Sequence, residues 1–456
     1  MSLGSILSNA TSGLLAQQAI VNTASQNISN ASTEGYSRQR VILSPATPLD
    51  TPQGYLGRGV TIDTIQRVRS SFLDAQYRTA NGQLQQQTST KDLLDQVQGV
   101  MGDLQSGNLA QGLDNFYNAF SDLANDPSSV TTRSIAIQSA GDLARQFQSL
   151  NDGLAQTAST GRDQLSAAVS TVNALTKKIT DLNQQIVVTS SGQGGASPDL
   201  QDQRDLAIDQ LSQYVQVRTI TQPDGSATVL AGDFVIADAA HAETMQVTVA
   251  PNGASQVGFQ NGATSFSTNG GSIAGILSVV NTVVPALQGQ LNTLANAVVT
   301  RVNALHQAGT TTGGTTGIPL FDPAGTTAAT IAVSSQVSSN SANLVTGTTT
   351  APGDNTVAQQ IAQLRTETQA GLGGVTFGDY YASISSTVAT QANQVASQVT
   401  AQQAVVSNVT SQRASVSGVS IEEEMTTLLR AQQGYTAAAK VVTTVNTMMQ
   451  SLIQMV

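Results

Sequence analysis

The chain has 456 residues, no cysteine and no tryptophan, and only 11% of it is charged, under half the usual ~25%. Disulfides, thiolate zinc sites and cysteine nucleophiles are therefore excluded. A net charge of −10 without any run of basic residues argues against a nucleic-acid partner, because phosphate backbones require clustered Lys and Arg.

The opening residues predict a helix. Leu3, Leu7, Ala10, Leu14, Gln17, Val21, Ala24 and Ile28 step by 4 and 3, and no Asp, Glu, Lys or Arg precedes Glu34. Asn30 to Gly35 reads as the stop, with Asn and Gly available for a C-cap. Residues 38–65 are extended, since Pro45, Pro48 and Pro52 exclude a helix, and Val41–Leu43 and Val60–Ile65 are candidate strands. Helix is expected from Arg67 through Leu104, again over Leu113–Leu123 up to Asp126-Pro127, and again from Val130. A separate stripe of Leu165, Val169, Val172, Leu175, Ile179, Leu182 and Ile186 ends in a Gly/Ser linker at 190–199.

Between Gln213 and Ser267 the apolar period drops to two. Turn signals recur at Pro223-Asp224-Gly225, Gly232-Asp233, Pro251-Asn252-Gly253 and Asn261-Gly262, which predicts a small antiparallel β region inserted in an α chain. The 3–4 step resumes at Ile273, with Pro285 expected to kink the helix or start its second part. Ile331–Val345 reads as weak strand or irregular structure, Val357–Leu364 as a short helix, and Ile384–Val416 as a long one.

The last stretch repeats the pattern of the first. Ile421, Met425, Leu428, Gln432, Tyr435, Ala439, Val442, Asn446, Met449, Ile453 and Val456 step by 4 and 3, and no charge follows Lys440. Ser420 and Glu423 have capping-box spacing, and Glu422, Glu423 and Glu424 suit a helix N-terminus. Two uncharged heptad helices at opposite ends of a chain are expected to pair with each other, their back faces meeting other copies. Gln17, Gln432 and Asn446 would then fix the register of the seam. The fold class expected is mainly α with an inserted small antiparallel β domain. The chain is nested and discontinuous, the termini paired as a coiled coil at one end and the β domain at the other.

No chemistry stands out. His241 and His306 lie in different predicted regions without a second ligand nearby, so no metal is expected, and no cofactor motif is present. Asp202, Arg204 and Asp205 in "DQRD" read as a local ion pair. The N-terminus lacks a secretory signal, and the most apolar window, Ile273–Leu287, is too short to span a bilayer; no membrane partner is expected.

Two terminal segments resemble a known family. "SQNISNASTEGYSRQRV" (25–41) is similar to the motif after the first helix of bacterial flagellar rod, hook and hook-associated proteins, and residues 417–456 resemble their C-terminal helix. Within that axial family, "PDLQDQRDLAIDQLSQYVQV", "VNALHQAGTTTGGTTGIPLF" and "APGDNTVAQQIAQL" resemble the hook-associated members that form the first junction between hook and filament. The resemblance implies three domains. Residues 1–37 with 417–456 would form a coiled-coil inner tube, 38–195 with 270–416 an elongated helical domain, and 196–269 an outer β domain. A further middle domain carried by larger members would be absent or reduced.

The resemblance also implies a structural, non-enzymatic protein, exported through the flagellar type III apparatus without cleavage. It would polymerise on the distal end of the hook as a junction adaptor. Partners would be copies of itself, hook protein, the next junction protein and a cytoplasmic export chaperone. The assembly interface would comprise Leu3, Leu7, Leu14, Val21, Ile28, Asn30, Gly35 and Tyr36 with Ile421, Met425, Leu428, Gln432, Tyr435, Val442, Asn446, Met449 and Ile453. The chaperone would take Leu428, Leu429, Tyr435, Val442, Met449 and Leu452. A distal rod or hook protein is the alternative within the family. An exported membrane-active effector is the alternative outside it, weakened by the lack of basic residues on the polar helix faces.

Overall fold

Where the apolar period is 3.6 the chain is helical, and where it is 2 it forms short antiparallel sheets, as the computed structural model shows for residues 3–51, 54–102, 108–190, 197–260, 265–266 and 269–455. Pro52, Leu104, the 191–196 part of the linker, the Asn261-Gly262 turn, Ser267 and Val456 lie outside these described residues. Helix α1 (Leu3–Ser29) leads into a ribbon of β1 (Gln39–Pro45) and β4 (Val60–Arg67), with β2 (Leu49–Thr51) and β3 (Gly54–Leu56) paired between them. Four helices follow: α2 (Ser71–Met101), α3 (Leu109–Asn125), α4 (Val130–Ser190) and α5 (Pro198–Leu211).

The β region holds two three-stranded sheets. One is β5 (Val217–Thr221), β6 (Ala227–Ala231) and β7 (Phe234–Ala237), and the other is β8 (Met245–Val249), β9 (Ser255–Phe259) and β10 (Ser265–Phe266). Then come α6 (Gly271–Ser278), a π-helical turn at Val279–Val283 and α7 (Val284–Ala308). An irregular stretch containing α8 (Ser335–Ser339) leads to α9 (Thr356–Gln363), α10 (Phe377–Ser417) and α11 (Ile421–Gln454).

Several boundaries differ from expectation for local reasons. Arg67 ends a strand rather than opening a helix; α2 starts at Ser71, where the Ser70 hydroxyl accepts from the Leu73 amide. The two segments expected after Val130 are one 61-residue helix, because the buried face of Ala136, Leu143, Leu150, Leu154, Leu165, Val172, Ile179 and Ile186 never breaks. Pro285 has no N–H to offer, and the turn before it widens so that the Val284 amide reaches back to the Val279 carbonyl.

The core lies among the inner helices. Phe116, Phe120, Phe147, Phe321 and Phe377 are fully buried, and α2, α3, α4, α7 and α10 surround them. Gly271–Ala308 is long and apolar enough to cross a membrane by composition, and half of its most apolar window is buried against the rest of the chain.

The two terminal helices pair, as expected. Helices α1 and α11 run antiparallel: Asn27 near the end of α1 bonds Glu424 near the start of α11, and Gln17 lies over Gly434. The seam on α11 is not the stripe of large residues, however. Its buried positions are Glu424, Ala431 and Val445, seven and fourteen residues apart, while Ile421, Met425, Tyr435, Met449 and Ile453 are exposed. Close approach at Gly434 favours this face. With no Cβ on Gly434, the Gln17 amide sits where one would stand only 2.9 Å from its Cδ. Gln432 and Asn446 are exposed, so of the three polar residues expected to fix register only Gln17 lies between the two helices.

His306 is buried in the turn where the irregular stretch folds back. Its Nδ1–H donates to the Ile318 carbonyl at 2.6 Å and its Nε2 accepts from the Val345 amide at 2.9 Å. Burial holds its pKa down at about 4, against the lesser pull of the Ile318 bond. The unfolded chain therefore binds the extra proton first. Stability from this site is complete above about pH 6.5 and is lost as pH falls toward 4, on the order of 3 kcal/mol in total. Urea midpoints measured from pH 7 to 4.5 should fall in the natural chain, and the slope should flatten in His306→Gln, which cannot titrate.

Candidate functional site

The site begins in the last turn of α1. Asn27 is buried, and its amide makes four bonds. Nδ2 donates to the Gln39 carbonyl at 2.9 Å and to Glu424 Oε2 at 3.0 Å, and Oδ1 accepts from the Gln39 amide at 2.9 Å and from the Tyr36 hydroxyl at 2.8 Å. One side chain thus ties α1, the turn after it, β1 and α11 together. The expected capping box at Ser420 does not form. Glu423 and Glu424 instead hold Arg38, at 2.9 and 2.7 Å. Arg38 also donates its backbone amide to the Ser417 carbonyl at the break between α10 and α11.

Beneath this lies a knot of buried charge. The Ser37 amide and hydroxyl bond Asp202 at 2.9 and 2.8 Å, and Gln39 bonds Asp199 at 3.0 Å. Arg67 reaches Asp202 and Asp205 at 2.7 and 2.9 Å; Arg69 reaches Asp74 at 2.6 Å and Asp205 at 3.2 Å. Arg78 holds Asp209 at 2.6 Å, and Arg413 from α10 holds both Asp74 and Asp209 at 3.0 and 2.8 Å while lying over the Tyr77 ring.

The Arg204–Asp205 pair read from "DQRD" forms at 3.0 Å, yet it is one edge of this larger network. Arg204 also donates to the Gly225 carbonyl at the β5–β6 turn, and Arg78 to Thr219 on β5. The first sheet is therefore anchored to α2 and α5 at the knot, and not placed at the end opposite the terminal helices.

The electrostatics follow from that crowding. Burial alone would raise the Asp205 carboxyl, but Arg204, Arg69, Arg67 and Arg78 hold it well below the ordinary carboxylate range. Burial disfavours the Arg69 charge, and Asp205, Asp74 and Asp209 more than restore it. Burial, then Asp199 and Asp202, push the Tyr36 hydroxyl up, so it remains a donor to Asn27. Gly35 has φ +81, and an added Cβ would stand 3.1 Å from the Leu206 side chain on α5.

The sequence-predicted positions divide as follows. Leu3, Leu7, Leu14, Val21 and Ile28 are half-buried on α1; Leu428 and Val442 are half-buried and Leu429, Tyr435, Met449 and Leu452 exposed on α11. Asn30 is half-buried; Gly35 and Tyr36 are brought to the knot. Asn27, Arg38, Arg67, Arg69, Asp74, Arg78, Asp209 and Arg413 are not among the sequence-predicted positions, and Glu424 is read from the sequence only as charge at a helix N-terminus. A signal was present for part of it: Asp199, Asp202, Asp205 and Asp209 fall on one face at helical spacing, in a chain with little charge to spare. Among the described residues no group of three or more His, Cys, Asp or Glu could hold a metal, and the knot's carboxylates are each engaged by guanidinium or amide.

Comparison with known proteins covers the same regions. The model of the flagellar hook-associated protein FlgK helical domain matches residues 94–321, half of the chain. The chain belongs to the FlgK family of flagellar hook-associated proteins. The flagella basal body rod protein model matches residues 7–36, which are α1 and its turn, and the flagellar basal body rod FlgEFG C-terminal model matches residues 410–455, which include α11. Flagellar hook-associated protein 1 of Bacillus subtilis is 28% identical over 98% of this chain and 97% of its own length. That of Escherichia coli is 28% identical over 70% of this chain and 60% of its own. The solved flagellar hook junction protein FlgK from Burkholderia pseudomallei superposes with a TM-score of 0.67 at 16% identity, over 75% of this chain and all of that one, a likeness of fold.

Two substitutions test the knot. Asp202→Ala removes one of the two carboxylates on Arg67 and the acceptor of both Ser37 donors, and equilibrium unfolding should show a loss of about 2–3 kcal/mol. Gly35→Ala forces an unfavourable φ and a contact with Leu206, for a loss of about 1–3 kcal/mol by the same measurement.

Proposed function

We propose that this chain is a structural adaptor at the hook–filament junction, polymerising on the distal end of the hook so that the filament can attach. The observation that carries this reading is the α1–α11 pair, which buries Glu424, Ala431 and Val445 of α11 and leaves Ile421, Met425, Leu429, Tyr435, Met448, Met449, Leu452 and Ile453 uncovered. A helix bearing so many exposed large apolar side chains is suited to being covered by neighbours. Membership of the FlgK family and the likeness to hook-associated relatives support the location.

In this reading residues 1–37 with 417–456 form the inner tube, 38–195 with 270–416 pack laterally on other copies, and 196–269 face outward. The interface is the set from Leu3 to Tyr36 and from Ile421 to Ile453 given above. Hook protein lies on one side and the next junction protein on the other. The α11 face from Leu428 to Leu452 is held by an export chaperone until the chain passes through the type III apparatus. Its action is geometric, with no bond made or broken in a substrate, and no enzymatic activity is proposed.

Deletion of the gene tests this directly. Electron microscopy should show bare hooks, with flagellin lost to the medium. Missing hooks would favour the rod or hook alternative, and normal filaments would remove the proposal. The uncovered face further implies that α1 and α11 are loose in the free monomer. Amide exchange should then be at least tenfold faster there than in α4, and equal protection would refute that part.

A further inference from the structure

The turns at Pro223-Asp224-Gly225 and Pro251-Asn252-Gly253 belong to hairpins whose strands and turns fall at the same positions with a spacing of 28, with the proline and glycine of each turn and Val229 and Val257 identical. In the first, Val217 faces Ala231 and Thr221 faces Ala227; in the second, Met245 faces Phe259 and Val249 faces Ser255. The burial patterns of β5 and β8 are identical, and so are those of β6 and β9. The turns are bonded alike: Gln222 N–H to Ser226 O and Ala250 N–H to Ala254 O, both at 2.8 Å, with Ser226 and Ala254 amides on the Asp224 and Asn252 side chains. Gly225 and Gly253 share a φ near +85 and +82.

Turn chemistry alone could produce two similar hairpins. It does not require what happens at the next residue. Ala227 is gripped by Asn183 of α4, whose Oδ1 accepts its N–H at 3.0 Å and whose Nδ2 donates to its carbonyl at 2.8 Å. Ser255, its counterpart, is gripped in the same two ways by Asn281 at 2.8 and 2.7 Å. The two asparagines come from different helices, and Asn281 sits in the π-helical turn.

We infer that residues 217–231 and 245–259 are two copies of one hairpin unit, and that Asn183 and Asn281 are matched positioning residues, each seating its own copy on the helical body. Phe259 of the second copy meets Phe234 of β7, the strand after the first copy, with ring centroids 5.2 Å apart. Each copy has further holds, Arg78 and Arg204 on Thr219 and Gly225 of the first and Asn173 of α4 on Met245 of the second, but the grip on Ala227 and the grip on Ser255 come from different helices. One unit can then vary or loosen without releasing the other.

Hydrogen exchange on the full chain tests this. Asn183→Ala should raise exchange about tenfold around Ala227 and leave that around Ser255 unchanged, and Asn281→Ala should do the reverse. Asn183→Asp keeps the volume but sets a carboxylate oxygen against the Ala227 carbonyl, and should reproduce the local effect. Far-UV circular dichroism should stay unchanged in all three. Loosening of both hairpins by either variant, or of neither, would overturn the assignment. So would loss of the helical signal at substitutions that small, since it would make the asparagines general core residues.

Discussion

Five guanidiniums and four carboxylates, from Arg67, Arg69, Arg78, Arg204, Arg413, Asp74, Asp202, Asp205 and Asp209, meet at one junction in a chain that is otherwise poor in charge. Buried charge is costly unless every member is paired, so such a cluster admits very few arrangements of the elements that contribute to it. Those elements are β4, α2, α5 and α10, with the turn after α1 added through Ser37 and the β5–β6 turn through Gly225. Apolar helix faces can slide by a turn at modest cost. Interlocked forks and carboxylates cannot, and this is what relates the terminal pair to the helical body.

A second device seats extended segments on helices. A helical asparagine lays its amide against the N–H and C=O of one residue, as a neighbouring strand would. It recurs at Asn27 with Gln39, Asn173 with Met245, Asn183 with Ala227, Asn281 with Ser255 and Asn303 with Phe321. Of the common side chains, only a carboxamide offers a donor and an acceptor side by side without charge. The device satisfies backbone groups that would otherwise be stranded where a sheet edge meets a helix. It also gives the high amide content of this chain a structural meaning beyond surface polarity.

Period and turn chemistry made most elements legible. Long helices, the inserted sheets and the pairing of the ends all follow from spacing, because local hydrophobic pattern and backbone geometry agree there. The face of α11 that packs within the chain was not legible. Ala431 is buried and Gly434 lets Gln17 come close, yet both carry little hydrophobic signal, while most of the stronger stripe beside them is left outside. Periodicity reports that a face is apolar and is silent on whether the partner is the same chain. The knot escaped for a related reason: Arg67 and Asp202 are 135 residues apart, and a charge read along the sequence finds only its near neighbours. Asp205 looked paired with Arg204 and was, but three more guanidiniums come from elsewhere.

The π-helical turn at Val279–Val283 has a consequence for how this region tolerates length changes. It fits one residue more than an α-helical turn would, and the hydrogen bond from Val284 to Val279 closes it. Removing a single residue there would leave a better helix, with more regular bonds. Because the widened turn already absorbs the extra residue, α6 and α7 on either side would keep about the same phase. Asn281, which lies within the turn, would lose its place opposite Ser255. The segment therefore works as a local widening that sets one asparagine against a strand without turning the two helices relative to each other.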